Sequence, residues 1–173
     1  MALPRCQLTY LLEPPTGYIR IVGRAAVEGA RDFKALVERL KGQGAGQICL
    51  DLSGCLLMDS TFSGVLAQLA TAANQARGQG QCPTIMLYCP NARVVDLLDS
   101  LGVLPLVGVL EEAPMPGDFS GHEPGPDSGD KVETAECCLE AHRILMTLRP
   151  ENVGRFSELT RMLEQQIQAA PPG

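Results

Sequence analysis

Three consecutive residues, Asp59, Ser60 and Thr61, place a carboxylate and two hydroxyls immediately before a run with helical periodicity. Asp and Ser are preferred N-cap residues, because their side-chain oxygens accept hydrogen bonds from backbone N–H groups that the first helical turn leaves unpaired. Capping alone explains these side chains locally and contributes about 1 kcal/mol. The positive end of the helix dipole at the same position also favours an anion.

The metal-binding residue types are scattered along the chain. Its seven cysteines include no Cys-x-x-Cys pair, only Cys137 and Cys138 are adjacent, and His122 and His142 do not complete a zinc pattern. We therefore predict no metal and no cofactor, and cysteines that pack as small apolar side chains in a reducing compartment. We interpret His142 as a partly buried or capping residue.

Composition and motif content favour a binding protein over an enzyme. No nucleophile, base and orienting group occur together, so we predict no catalytic residues. The alternative is an enzyme or small-molecule sensor that uses a cysteine such as Cys55. The net charge of −6 argues against binding to nucleic acid or to an anionic membrane. The lack of a long apolar run and of a signal-peptide pattern at the N-terminus predicts a cytoplasmic protein.

Hydrophobic periodicity predicts alternating strands and helices. Apolar residues alternate at Leu8, Tyr10 and Leu12, as in a strand, whereas residues 33–40 carry the i, i+3, i+4, i+7 spacing of a helix face. The element order β-β-α-β-α-β-α-β predicts an α/β fold with a mixed, mostly parallel sheet, an N-terminal β-hairpin and flanking helices. The predicted strands span residues 6–12, 18–23, 47–52, 84–88 and 104–110, and the predicted helices span residues 33–40, 61–76 and 94–101.

Composition changes after the last predicted strand. Residues 1–112 form the predicted domain, and residues 113–130, rich in Pro, Gly and acids, form a predicted flexible linker. Residues 131–168 form a predicted extension of two helices, followed by a tail over 169–173. These helices are too short and one-sided to be stable alone, so they fold onto the domain, onto each other, or onto a second copy in a homodimer.

The segment from residue 51 to residue 66 resembles a known family. Asp51-Leu52-Ser53 ends a predicted buried strand, and a short connection leads to Asp59-Ser60 and then to Gly64-Val65-Leu66. This pattern and its spacing are similar to those of STAS domains of the bacterial anti-sigma-factor-antagonist type. In that family, Asp-Leu-Ser on a strand is followed by Asp-Ser-Ser-Gly-Leu-Gly-Val-Leu. The predicted element order agrees with the family over about residues 6–110.

The resemblance implies a phosphorylation switch. Such antagonists bind a partner that is both an anti-sigma factor and a serine kinase, and phosphorylation of the serine after the Asp ends that binding until a phosphoserine phosphatase reverses it. By position the phosphoacceptor is Ser60, with Thr61 as the second choice. Phe62 stands where the family has its first Gly, and it points either into the core or towards the partner. The implied partner-binding residues are Asp59, Ser60, Thr61, Phe62 and Ser63.

Two alternatives remain open on this scaffold. The domain is either a constitutive STAS scaffold that binds its partner without phosphorylation, or a module that senses a small molecule. Fold alone does not exclude either, because one scaffold hosts many functions.

Overall fold

The computed structural model describes residues 2–78, 80, 82–112, 115–123 and 129–172. Within these ranges the chain forms seven strands, five α-helices and one short 3-10 helix at Leu104–Leu106. The strands are β1 (Gln7–Glu13), β2 (Thr16–Ala25), β3 (Gln47–Asp51), β4 (Cys55–Met58), β5 (Ile85–Tyr88), β6 (Gly108–Leu110) and β7 (Gly121–His122). The helices are α1 (Val27–Gly42), α2 (Ser60–Arg77), α3 (Ala92–Leu101), α4 (Lys131–Leu148) and α5 (Pro150–Ala169).

The strands form one mixed sheet. Its order is β6-β5-β3-β2-β1-β7, and β4 pairs with β2 beside this path. Strand β1 pairs antiparallel with β2 and with β7, whereas the pairs β2–β3, β2–β4, β3–β5 and β5–β6 are parallel. The predicted fold class, a mostly parallel sheet with an N-terminal hairpin, is therefore confirmed.

One face of the sheet packs against helices. Along β2 every second residue is buried, which places Ile19, Ile21 and Ala25 on the face covered by α1 and α2. The helix α1 contributes the residues whose spacing predicted it, and all of them are fully buried in the same core. Leu, Ile, Val and Ala supply most of this core, as expected for a chain without Trp.

Two predicted segments differ from the structure. The expected connection after β3 contains the strand β4, because β2 is ten residues long and its second half is free to pair with Cys55–Met58. The register shifts at Gly23, whose φ of +89° suits glycine and whose missing Cβ leaves room for the backbone oxygen of Arg5. The predicted last strand begins later, at Gly108, because Leu104–Leu106 forms a 3-10 turn around Pro105.

The described part of the predicted linker packs on the other face of the sheet. Phe119 is buried and lies under the guanidinium of Arg20, 4.0 Å from ring centroid to Cζ. Met115 Sδ lies 3.7 Å from Cys49 Sγ, and β7 extends the sheet beside β1. This packing corrects the expectation of a flexible connection for residues 115–123. Residues 113, 114 and 124–128 of the predicted linker lie outside the described residues, as does residue 173 of the predicted tail.

The two C-terminal helices fold onto the domain and onto each other. Helix α4 packs against α2 and α1, and α5 packs against α4. Ion pairs near the surface join α1 to α4: Arg31 pairs with Glu133, and Lys34 Nζ lies 3.2 Å from Glu140 Oε2. The predicted two-helix extension is confirmed, and the packing with α2 brings it to the candidate functional site.

Candidate functional site

Asp59 caps two helices at once. Its Oδ1 accepts a hydrogen bond from the backbone N of Phe62 at 2.8 Å, in the first turn of α2. Its Oδ2 accepts another from the backbone N of Val27 at 3.0 Å, in the first turn of α1. Burial raises the pKa of this carboxyl, and the two backbone hydrogen bonds oppose the rise by favouring the charged form. Asp59 therefore holds the N-termini of α1 and α2 side by side.

Ser60 is the first residue of α2 and is hydrogen-bonded to a histidine 82 positions later. Its Oγ lies 2.9 Å from Nε2 of His142, which projects from α4. The other ring nitrogen, Nδ1, lies 2.7 Å from the carbonyl oxygen of Cys138. A carbonyl only accepts, so Nδ1 carries the proton and Nε2 accepts from the Ser60 hydroxyl.

His142 is buried as a neutral ring. Its side chain is 1% exposed, and the ring of Phe156 from α5 packs edge-on against it at 4.8 Å between centroids. Burial lowers the pKa of His142, although the hydrogen bond to Cys138 and the charge of Asp59 oppose the shift. The expected partly buried or capping histidine is thus almost fully buried, and it links α4 to Ser60.

We expect the docking of α4 on α2 to weaken as the pH falls through about 6.5, the ordinary histidine pKa. Burial holds the pKa of His142 below its ordinary value when α4 is docked, so the undocked state binds a proton more readily. The contribution of His142 to docking is then fully present above the ordinary value and is lost progressively below it. Amide hydrogen exchange of α4 across this pH range, corrected for the intrinsic exchange rate, measures the effect.

The matched control is His142→Gln, which keeps a side chain able to accept from Ser60 but does not titrate in this range. The variant should lose the pH dependence of α4 protection. Asp59 faces the same site and titrates with the opposite sign, because burial raises its pKa. Equal pH profiles for the wild type and His142→Gln would contradict the assignment.

The residues after Ser60 point inward. Thr61 is 5% exposed, and its Oγ1 lies 3.4 Å from Cys138 Sγ. Phe62 has no exposed surface and stacks on Phe33 of α1, 4.7 Å between ring centroids, so it belongs to the core. Ser63 is also fully buried, and its hydroxyl donates to the backbone oxygen of Asp59 at 2.8 Å. Of the five predicted partner-binding residues, only Asp59 and Ser60 lie partly at the surface.

Gly64 allows α4 to approach α2 closely. A Cβ at this position would lie 2.7 Å from both the carbonyl carbon and the Cβ of Ala141. Real Cβ atoms do not come this close to backbone, so any larger residue at Gly64 would push α4 away. Gly64, in the motif block Gly64-Val65-Leu66, therefore sets how closely α4 packs on α2.

The local sequence pattern did not predict which residues of other helices contact Ser60 and Thr61. The motif predicted Asp59 and Ser60 at a helix N-terminus, where they lie. It did not predict that His142 and Cys138 would face them from a helix more than 70 residues later. The available signal was the spacing of four between Cys138 and His142, which places both on one side of α4 beside apolar residues.

The structure also places Cys55 and the residue types that bind metals. Cys55 is 2% exposed, and burial raises the pKa of its thiol, which makes it a poor nucleophile. Among the described residues, no group of three His, Cys, Asp or Glu side chains is placed to hold a metal ion. None of the helices in the described ranges is long and apolar enough to cross a membrane.

Comparisons with known proteins find a similar fold among solved structures but no matching sequence family. No family model matches the sequence, and no curated protein matches it. The chain is similar to the solved structure of the anti-sigma factor antagonist SpoIIAA in its unphosphorylated form, with a TM-score of 0.50 and 18% identity over 62% of this chain and 90% of that chain.

Two further structures were matched. The Bacillus cell fate determinant SpoIIAA in the phosphorylated form gives a TM-score of 0.47 and 18% identity over 62% of this chain and 93% of that one. A candidate anti-sigma factor antagonist from Thermotoga maritima gives a TM-score of 0.49 and 21% identity over 59% of this chain and 84% of that one. The match to unphosphorylated SpoIIAA confirms the predicted resemblance to anti-sigma factor antagonists at the level of the fold.

Proposed function

We propose that this chain is a regulator of the anti-sigma-factor-antagonist type, which binds an anti-sigma factor with serine kinase activity and is switched by phosphorylation of Ser60. The observation that carries the proposal is the place of Ser60. It follows the Asp59 cap as the first residue of α2, in the fold of an anti-sigma factor antagonist, where the matching motif implies a phosphoacceptor. Thr61 is the weaker candidate because its hydroxyl is almost fully buried.

The physics of the position suits such a switch. A phosphate adds about −1.5 to −2 charges, which the dipole and free N–H groups of a helix N-terminus favour. The modification therefore suits the N-terminus of α2 and acts at the surface where the partner docks. A charge clash at a contact costs several kcal/mol, and each 1.4 kcal/mol lowers affinity about tenfold.

The proposed regulation is a cycle of phosphorylation and dephosphorylation by two partners. The unphosphorylated chain binds the kinase, and a phosphoserine phosphatase returns the phosphorylated chain to that state. All seven cysteines are free thiols, which suits a reducing cytoplasm. The net charge of −6 favours a protein-binding regulator over a nucleic-acid-binding protein.

We expect phosphate on Ser60 when the purified chain is incubated with ATP and a lysate of its source organism. Phosphopeptide mapping by mass spectrometry identifies the acceptor, and Ser60→Ala should take up no phosphate at this peptide. Thr61→Val is the matched control, because it removes the neighbouring hydroxyl with little change in shape. Phosphate only at other residues would contradict the proposal.

Partner binding separates the switch from the constitutive scaffold. Immobilised Ser60→Ala should retain the kinase from the lysate, whereas Ser60→Asp should retain at least about tenfold less, because a negative charge faces the docking surface. Equal retention by both variants would favour the constitutive scaffold.

A further inference from the structure

We propose that α4 and α5 form a built-in cover of Ser60, so that docked α4 and a phosphate on Ser60 exclude each other. The inference rests on the proposed function of Ser60 and adds a level of regulation to it. In the docked state the phosphoacceptor is only partly exposed and its hydroxyl is bonded to α4, and a kinase uses Ser60 only after the helical pair has moved.

The hydroxyl that would accept the phosphate is already engaged. Ser60 Oγ lies 2.9 Å from Nε2 of His142, and Thr61 beside it lies 3.4 Å from Cys138 Sγ. A kinase needs the serine oxygen free to approach the transferred phosphorus on the side opposite the leaving oxygen. Because His142 belongs to α4, freeing that oxygen from its hydrogen bond requires α4 to move.

The docked helix leaves no space for a phosphoryl group. The ring of His142 is 1% exposed and packs against Phe156, so it cannot rotate away within the docked structure. One turn further along α2, the absence of a side chain at Gly64 lets the backbone of α4 approach closely at Ala141. A phosphate inserted between Ser60 and His142 therefore displaces α4 as a body.

Hydrogen bonding opposes the phosphate as well. The proton of His142 is on Nδ1, where it is donated to the carbonyl of Cys138, so Nε2 faces Ser60 as an acceptor. A phosphate dianion offers only acceptors, so Nε2 of His142 would have to take up a proton before it could bond to the phosphate, and burial of the ring lowers the pKa of His142 and opposes that proton. The site thus matches the hydroxyl of unmodified Ser60 better than its phosphorylated form.

The ion pairs between the cover and α1 add little to its docking. The ion pairs of Arg31 with Glu133 and of Lys34 with Glu140 join a partly buried base to an exposed acid, and such pairs near the surface stabilise weakly. The helix α5 packs mainly on α4, so the two helices can move together. Ala141 and Leu145 of α4 belong to the same core as α2, so release of the cover exposes part of that core, while the stack of Phe62 on Phe33 joins α1 to α2.

The direct test is a full-length chain with phosphoserine incorporated at position 60 during synthesis. Hydrogen exchange of α4 peptides should accelerate at least about tenfold relative to the wild type, with β3 and β5 unchanged. Ser60→Ala is the control, because it removes the hydrogen bond without adding bulk and should change exchange less. Unchanged or increased protection of α4 in the phosphoserine chain would overturn the inference.

A variant in which a disulfide ties α4 to α2 tests whether a kinase needs α4 to be released. Thr61→Cys places a second thiol against Cys138, and oxidation of the pair ties α4 to α2. Phosphorylation of Ser60 by the lysate should be at least about tenfold slower in the oxidised variant than in the same variant after reduction. The wild type under both redox conditions controls for effects on the kinase. Equal rates would overturn the cover and leave the proposed function standing.

The two proposals fail differently. If the lysate phosphorylates Ser60 neither in the wild type nor in the reduced variant, the phosphorylation switch fails, while the phosphoserine chain still decides whether α4 and a phosphate exclude each other. Gly64→Ala provides a second, independent route to release, because its Cβ would clash with Ala141. That variant should accelerate α4 exchange and phosphorylation together, and slower phosphorylation with faster exchange would contradict the cover.

Discussion

Phe62→Ala is expected to lower the free energy of unfolding by about 3–5 kcal/mol, the range for removing a fully buried aromatic side chain. Phe62 has no exposed surface and stacks on Phe33 at 4.7 Å, with an interplanar angle of 23°. The loss combines the apolar area returned to water with the cavity left between α1 and α2. Urea unfolding followed by circular dichroism measures it, since the chain has no Trp to report by fluorescence.

Two controls distinguish a core role of Phe62 from a partner-binding role. Met162→Ala removes a side chain that is 56% exposed and should change stability by less than about 0.5 kcal/mol. Phe62→Leu keeps most of the buried volume and should lose less stability than Phe62→Ala. At a temperature where Phe62→Leu is folded, its phosphorylation should match the wild type. A stable Phe62→Leu that no longer binds the kinase would place Phe62 at the interface instead.

Asn152→Ala is expected to lower stability by about 2–4 kcal/mol, because it leaves two buried carbonyl oxygens without donors. The Asn152 side-chain amide donates to the carbonyl of Leu101 at 2.9 Å and to that of Leu145 at 2.7 Å. These carbonyls end α3 and α4, where the helices cannot satisfy them internally. Asn152 thus joins the C-termini of two helices, as Asp59 joins the N-termini of two others.

The loss of stability in Asn152→Ala should appear first in the helices α4 and α5. The residue anchors α5 and the end of α4 to α3, so hydrogen exchange in residues 131–169 should accelerate before the sheet unfolds. Asn152→Asp has nearly the same shape but turns a carboxylate towards two carbonyls, and it should destabilise at least as much as Asn152→Ala. Val153→Ala, at a neighbouring exposed position, is the near-neutral control. Wild-type stability in Asn152→Ala would contradict the role of these two hydrogen bonds.

Local sequence patterns were sufficient to predict the α/β architecture and the helix start that carries Asp59 and Ser60. The spacing of Phe33, Leu36, Val37 and Leu40 predicted α1, and the polar residues before the apolar run predicted the start of α2 at Asp59 and Ser60. Both follow from interactions within a few residues, the period of a helix and the unpaired N–H groups of its first turn. The alternation of strands and helices predicted the mostly parallel sheet for the same reason.

The parts that were missed depend on contacts between distant segments. The strand β4 exists because β2 is long enough to offer a second partner, and Phe119 is buried because the sheet has an uncovered face with Arg20 on it. The direction of Phe62 was open in the sequence, and only its contact with Phe33 on another helix places it in the core. Local propensity carries no information about such pairings.

The sequence by itself determined the α/β architecture, the capped N-terminus of α2 and the exact position of Ser60 on it, because these depend on periodicity and on neighbouring residues. Only the tertiary structure decided that Ser60 faces His142 across 82 positions of chain. That contact requires α4 to dock on α2 at the close approach of Gly64 and Ala141. Docking is a matter of complementary surfaces formed after both helices exist, and no local pattern encodes it.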